Sequence, residues 1–200
     1  MNYLKTPDAL EALYGSPGEA SLAKVVGRLT PCTRRWIMAS RFCILSTVGP
    51  EGTDASPRGD DGPVVLELDD KHLALPDWRG NNRIDSLRNI LRDPRVSLMF
   101  MVPGSNNVMR LNGQARLTDD ADLRARFARN GNQPRTVIVI RIDEIYSQCA
   151  RAVMRADLWS RDDADGLPSV GDMLHEATSG EFDGKAYDAD WPARAAKSMW

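Results

Sequence analysis

The segment Pro76-Asp77-Trp78-Arg79-Gly80-Asn81-Asn82-Arg83 gathers residue types that recognise an anion. Gly80 and the two asparagines permit backbone angles at which neighbouring N–H groups converge. Arg79 and Arg83 add planar guanidinium groups that can each bind two oxygens. The segment leaves an expected strand and opens an expected helix, whose N-terminus offers unpaired N–H groups and a partial positive charge. The chemistry served would be phosphate binding. A capped surface helix with solvated arginines is an equally good reading of these eight residues alone.

Three further constellations carry polar chemistry. Arg58 stands at a strand end in Ser56-Pro57-Arg58-Gly59-Asp60, from where it can reach sideways towards a neighbouring strand. In isolation these are ordinary turn residues. From Arg110 to Leu117, alternation puts Arg110, Asn112, Gln114 and Arg116 on one strand face and small or apolar residues on the other. That polar face suits solvent, or a ligand groove in a dimer. Arg151, Arg155 and Trp159 recur at helical spacing after Cys149. Such a face can orient a flat ring or simply pack on the barrel rim.

Several chemistries are disfavoured. Cys32, Cys43 and Cys149 are widely spaced and form no CxxC pair, so neither a disulfide framework nor a zinc site is expected. With His72 and His175 as the only histidines, no metal centre is expected. No GxGxxG opens a βαβ unit, and neither a P-loop nor a GxSxG elbow is present. The net charge of -2 provides no global field for nucleic acid or an anionic membrane. No apolar run reaches spanning length and the first 15 residues lack a signal-peptide core, so a cytoplasmic protein is expected.

The elements that must position these residues fall into three zones. Residues 1–40 read as helical: Pro7 to Leu13, then a piece from Ser16 with Leu22, Val25, Val26 and Leu29 on one face, then Pro31 to Ser40. Residues 41–159 hold the main domain. Its period-two runs are Phe42–Val48, Thr53–Arg58, Val64–Leu68, His72–Leu75, Val96–Val102, Val108–Leu117 and Thr136–Ile145. Short connections predict an antiparallel meander closing as a barrel or sandwich. Helices are expected over Asn82–Arg92, with Ile84, Leu87 and Leu91 inward, and from Thr118-Asp119 to Ala128. A last one is expected to run from Ala150 to Trp159. Residues 160–200 form a polar tail with one short helix near Val170 to Ala177 and too little apolar surface to fold alone.

Taken in order, Phe42 to Gly52, Asp54 to Asp60, Leu73 to Gly104, Met109 to Thr118 and Cys149 to Trp159 resemble the pyridoxamine 5'-phosphate oxidase-related flavoproteins, in particular their PPOX-type FMN-dependent subgroup. The resemblance implies a mainly β fold with flanking helices, an antiparallel split β-barrel. It also implies a homodimer with FMN at the subunit interface. It places Arg58 at the FMN phosphate, with Asn82 and Arg83 gripping that phosphate at the helix start. The backbone of Asp77 and Trp78 would border the isoalloxazine ring, and the strand of Arg110 and Asn112 would pass near it. Arg155 and Trp159 would approach from the second subunit to cover the ring or meet a substrate.

Ile84 stands where oxidases acting on pyridoxine phosphate carry a lysine, and the family's C-terminal arginine motif has no recognisable counterpart. The expected function is therefore FMN-dependent oxidoreduction of an unidentified small molecule. Alternatives are a non-catalytic flavin-binding or redox-sensing protein, or a barrel holding deazaflavin F420; haem is disfavoured by the scarcity of histidine. A plain interaction module would be colourless.

Overall fold

The period-two runs become the strands of one antiparallel sheet in the computed structural model, which describes residues 1–199. Three helices precede it: α1 (Pro7–Tyr14), α2 (Glu19–Ala23) and α3 (Pro31–Met38). The strands are β1 (Phe42–Gly49), β2 (Gly52–Gly59), β3 (Leu66–Asp69) and β4 (His72–Asp77), then β5 (Arg95–Met101), β6 (Val108–Thr118) and β7 (Thr136–Gln148). Helix α4 (Asp85–Arg92) joins β4 to β5, and α5 (Ala121–Ala125) lies between β6 and β7. Helices α6 (Arg151–Ala156), α7 (Val170–Ala177) and α8 (Gly184–Ser198) follow the last strand.

The strand order is β2-β1-β5-β6-β7-β4-β3, every neighbouring pair antiparallel. This is the expected split barrel. Its inner face is one apolar core in which Leu45, Leu73, Leu98, Phe100, Leu111, Ile138 and Ile140 are fully enclosed. Ile37 of α3 and Leu87 and Ile90 of α4 close the core from outside the sheet.

One bulge keeps the longest strand amphipathic. Ile138, Ile140 and Ile142 point inward with period two, but the next inward residue is Ile145. The register against β6 shifts between Asn112 and Gly113, and the extra residue restores the inward phase. Gly113 is required there. A Cβ on it would lie 2.0 Å from the carbonyl oxygen of Arg141.

Four expectations about helices need correction. The second N-terminal helix stops at Ala23, leaving Leu22 and Val25 exposed, and Val26 instead bridges Ile145. Helix α4 begins at Asp85 rather than Asn82, because Asn82 and Ile84 both take left-handed angles, with φ 60° and 53°. Its inward face is therefore Ser86, Leu87 and Ile90, while Ile84 and Leu91 are exposed. Helix α6 ends at Ala156, where Asp157 turns left-handed, so Trp159 does not share a helical face with Arg155.

The tail is the fourth. Beside the expected α7, residues 184–198 form a second helix that packs on it. The crossing is built on two buried glycines: a Cβ on Gly171 would lie 2.2 Å from the Gly184 oxygen, and one on Gly184 would lie 2.1 Å from the Gly171 oxygen. Asp188 of α8 accepts from the Gly171 N–H at 2.9 Å and from the Ser169 hydroxyl.

A candidate anion-binding trough at the seam of the barrel

Strands β2 and β4 are not neighbours in the sheet, yet polar side chains join them across the split. Arg58, near the end of β2, donates through Nη1 to Asp77 Oδ1 at 2.6 Å, at the end of β4. One step outward, Trp78 donates its indole N–H to Asp60 Oδ2 at 3.1 Å. Asp60 is almost fully enclosed and also takes Arg129 Nη2 at 2.8 Å. Both ends of the Arg58–Asp77 pair are more than four-fifths buried. In so enclosed a place charges persist only when paired and hydrogen-bonded.

The pairing is incomplete. Arg58 Nε is buried with no hydrogen-bond partner, and so is the hydroxyl of Thr136, the residue opposite Asp77 on β7. Both residues line an open trough of about 1500 Å³ along the seam. Beside Arg58 in the register is Cys43. Burial pushes its thiol up to about 12, with the Arg58 charge offsetting part of that rise.

The loop from Trp78 to Ile84 forms the outer rim. Left-handed angles at Asn82 and Ile84 turn the chain sharply before α4. The Asn81 side chain accepts from the Arg83 N–H at 3.1 Å, and Asn82 accepts from Arg135 Nη1 at 3.3 Å. Arg83 itself points outward and pairs with Asp85 at 2.9 Å. Below the rim, the Ser86 hydroxyl donates to Asp54 and Asn89 donates to Thr47 Oγ1 at 3.1 Å, fastening α4 to the sheet.

Arg58, Asp77, Trp78, Asn82 and Arg83 thus line one trough. The other four expected site residues do not join them within one chain. Arg110 lies over the Tyr146 ring at 5.5 Å, and Asn112 donates to Glu144 Oε1 at 2.6 Å, on the part of the sheet away from the seam. Arg155 is exposed on α6. Trp159 donates to the Ser105 carbonyl at 2.8 Å, which fixes it to the β5–β6 connection.

Sequence reasoning missed three contributors: Asp60 as the double acceptor, Thr136, and helix α8. Tyr187, Trp191, Arg194 and Ser198 recur at helical spacing and line the same trough. That spacing was the available signal, hidden by Pro192 inside the helix and by the polar composition around it.

Among the described residues, no His, Cys, Asp and Glu cluster could hold a metal ion, and no helix is long and apolar enough to cross a membrane.

The model of the pyridoxamine 5'-phosphate oxidase family matches residues 29–149. No curated protein matches the chain. Among solved structures, HupZ from Group A Streptococcus is 18% identical, over 60% of this chain and 93% of that one, with a TM-score of 0.49. General Stress Protein 26 from Bacillus anthracis str. Sterne is 20% identical over 56% and 88%, with a TM-score of 0.43. An FMN-binding protein from Syntrophomonas wolfei subsp. wolfei is 11% identical over 71% and 96%, with a TM-score of 0.44.

Proposed function

This chain belongs to the pyridoxamine 5'-phosphate oxidase family, and from that premise we propose that its trough binds a flavin, FMN, for oxidoreduction of a small molecule. The observation that carries the reading is the buried, unpartnered Nε of Arg58. Leaving a buried donor unsatisfied costs about 1–3 kcal/mol, and a ligand acceptor removes that cost. The unpartnered Thr136 hydroxyl on the same wall adds a second group awaiting a partner.

Arg58 is the fixed element of the phosphate clamp, oriented by Asp77. Asn82 and Arg83 complete it from the rim. Arg83 must leave Asp85 to do so, and an exposed pair of that kind is worth little, so the exchange is cheap. The backbone of Asp77 and Trp78, steadied by the Trp78–Asp60 bond, borders the ring. Flavin bound there would supply hydride or single-electron transfer, with the protein setting its orientation and potential.

A homodimer belongs to the proposal. A second copy would bring Arg110 and Asn112 near the flavin, with Arg155 and Trp159 as its contacts to the small-molecule substrate. Three unpaired cysteines fit a reducing compartment, and we place the protein in the cytoplasm.

The test is titration of FMN into wild type and into the Arg58→Gln/Arg83→Gln variant, with light scattering alongside. Tight binding to a wild-type dimer and its loss in the variant support the reading. Full flavin retention by a folded variant overturns the phosphate site.

A further inference from the structure

Asp60 lies one residue beyond β2, and only 3% of its side chain is exposed. Two donors reach its carboxylate from distant parts of the chain. The Trp78 indole N–H comes from just past β4 at 3.1 Å, and Arg129 Nη2 comes from the connection between α5 and β7 at 2.8 Å. The two contribute differently. An indole N–H is neutral and cannot offset an enclosed charge, whereas a guanidinium can. Arg129 thus balances the carboxylate, and a charged carboxylate is a stronger acceptor for the indole than a neutral group would be.

Both partners of the indole are themselves fixed. The Asp60 N–H donates to the Arg41 carbonyl at 2.9 Å. The Arg129 N–H donates to the Asn132 carbonyl at 2.9 Å, and the Arg129 carbonyl accepts from the Asn132 N–H at 2.7 Å. Between them Asn130 and Gly131 take left-handed angles, φ 49° and 80°, as a tight two-residue hairpin requires. Arg129 Nη1 also holds Asp61 at 2.7 Å, so the guanidinium spans two successive carboxylates.

Trp78 is the root of the trough's rim. The residues after it, from Arg79 to Ile84, are all exposed, and Gly80 among them has nothing near its Cβ position. A loop so exposed keeps a constant position only where its root is held. We infer that Asp60, balanced by Arg129, is a positioning residue for the isoalloxazine ring and acts through Trp78. This rests on the flavin reading, in which the backbone of Asp77 and Trp78 borders the ring while Arg58, Asn82 and Arg83 serve the phosphate. It assigns Asp60 and Arg129 to the ring end of the ligand.

The two ends of the ligand separate chemically, because riboflavin has the ring and lacks the phosphate. The full-length protein is titrated with FMN and with riboflavin, as wild type and as two double variants. Asp60→Asn/Arg129→Gln removes both charges and keeps an acceptor for the indole. Asp60→Leu/Arg129→Met removes the charges and the acceptor. Neither strands a buried charge, and uncharged replacement of a buried ion pair is often neutral for stability, so both should fold, as far-UV circular dichroism will check. The first is expected to bind both flavins nearly as wild type does. The second should weaken FMN and riboflavin by the same factor, about tenfold, for loss of one hydrogen bond to a charged group. In the ligand-free protein, the Trp78 indole N–H resonance, identified by its absence from Trp78→Phe, should exchange slowly in wild type and in the first variant and rapidly in the second. Where wild type binds both flavins, equal affinities of the two variants, whether both unchanged or both weakened, overturn this inference alone, even if the indole signal moves. A loss confined to FMN also overturns it, since the two residues then act at the phosphate. A wild type that binds neither flavin sinks the flavin reading and this inference with it.

Discussion

Arg58 and Asp77 are joined by a 2.6 Å ion pair across the split of the barrel, from the edge strand β2 to β4. The pair fixes the guanidinium, and leaves its Nε buried without an acceptor. The arginine is therefore a stitch in the fold and, in the function proposed above, part of the phosphate clamp, and mutation should separate the two roles.

Arg58→Met leaves Asp77 buried without its partner. Full burial would make that cost about 3–5 kcal/mol. Residual solvent contact at both ends lowers our expectation to roughly 1–3 kcal/mol. Arg58→Met/Asp77→Leu should recover most of the stability in urea unfolding and none of the flavin affinity. A double variant as unstable as the single one would contradict the account.

The strands and the apolar core were legible in the sequence because alternation is a strong signal over runs such as Arg95–Met101. The bulge before Ile145 was not, since one extra residue looks like noise in a period-two pattern. The start of α4 was misjudged because Ile84 normally avoids the left-handed angle that it takes here. The Arg58, Asp77 and Asn82 grouping was readable only as an ordered set of motifs. Helix α8 was hidden by its proline and by a crossing made of glycines, which carry no apolar signal.

The glycine at the bulge is open to a direct check. Gly113→Ala would drive a methyl group into the Arg141 carbonyl, which is backbone and cannot swing aside. Overpacking of this kind costs roughly 1–3 kcal/mol. The urea midpoint should fall accordingly, whereas Gly80→Ala, where the added Cβ meets nothing, should leave it nearly unchanged.

The helical tail should show its own acid sensitivity. Asp172 closes the capping box of α7, and the Ser169 N–H, then the Ser169 hydroxyl, hold its carboxyl below the ordinary 3.8. Its contribution is fully present above 3.8 and is lost as the pH falls below that, through the lowered folded value. Hydrogen exchange in α7 and α8 should rise in this window, and Asp172→Asn should show the faster exchange already at neutral pH.

Thiol reactivity should divide the cysteines. Burial holds the Cys43 thiol at about 12, so it stays protonated and shielded at pH 8. An aromatic disulfide reagent should titrate Cys32 and Cys149 in the native protein and reach Cys43 only on unfolding. Rapid reaction of all three would mean that the seam beside Arg58 opens freely.

The most direct measurement is the visible absorbance spectrum of the purified protein, with mass identification of any ligand released on denaturation. The account predicts a flavin spectrum and released FMN, both absent from Arg58→Gln/Arg83→Gln. A colourless protein that takes up no FMN on titration would contradict it, and released F420 would keep the clamp but replace the cofactor.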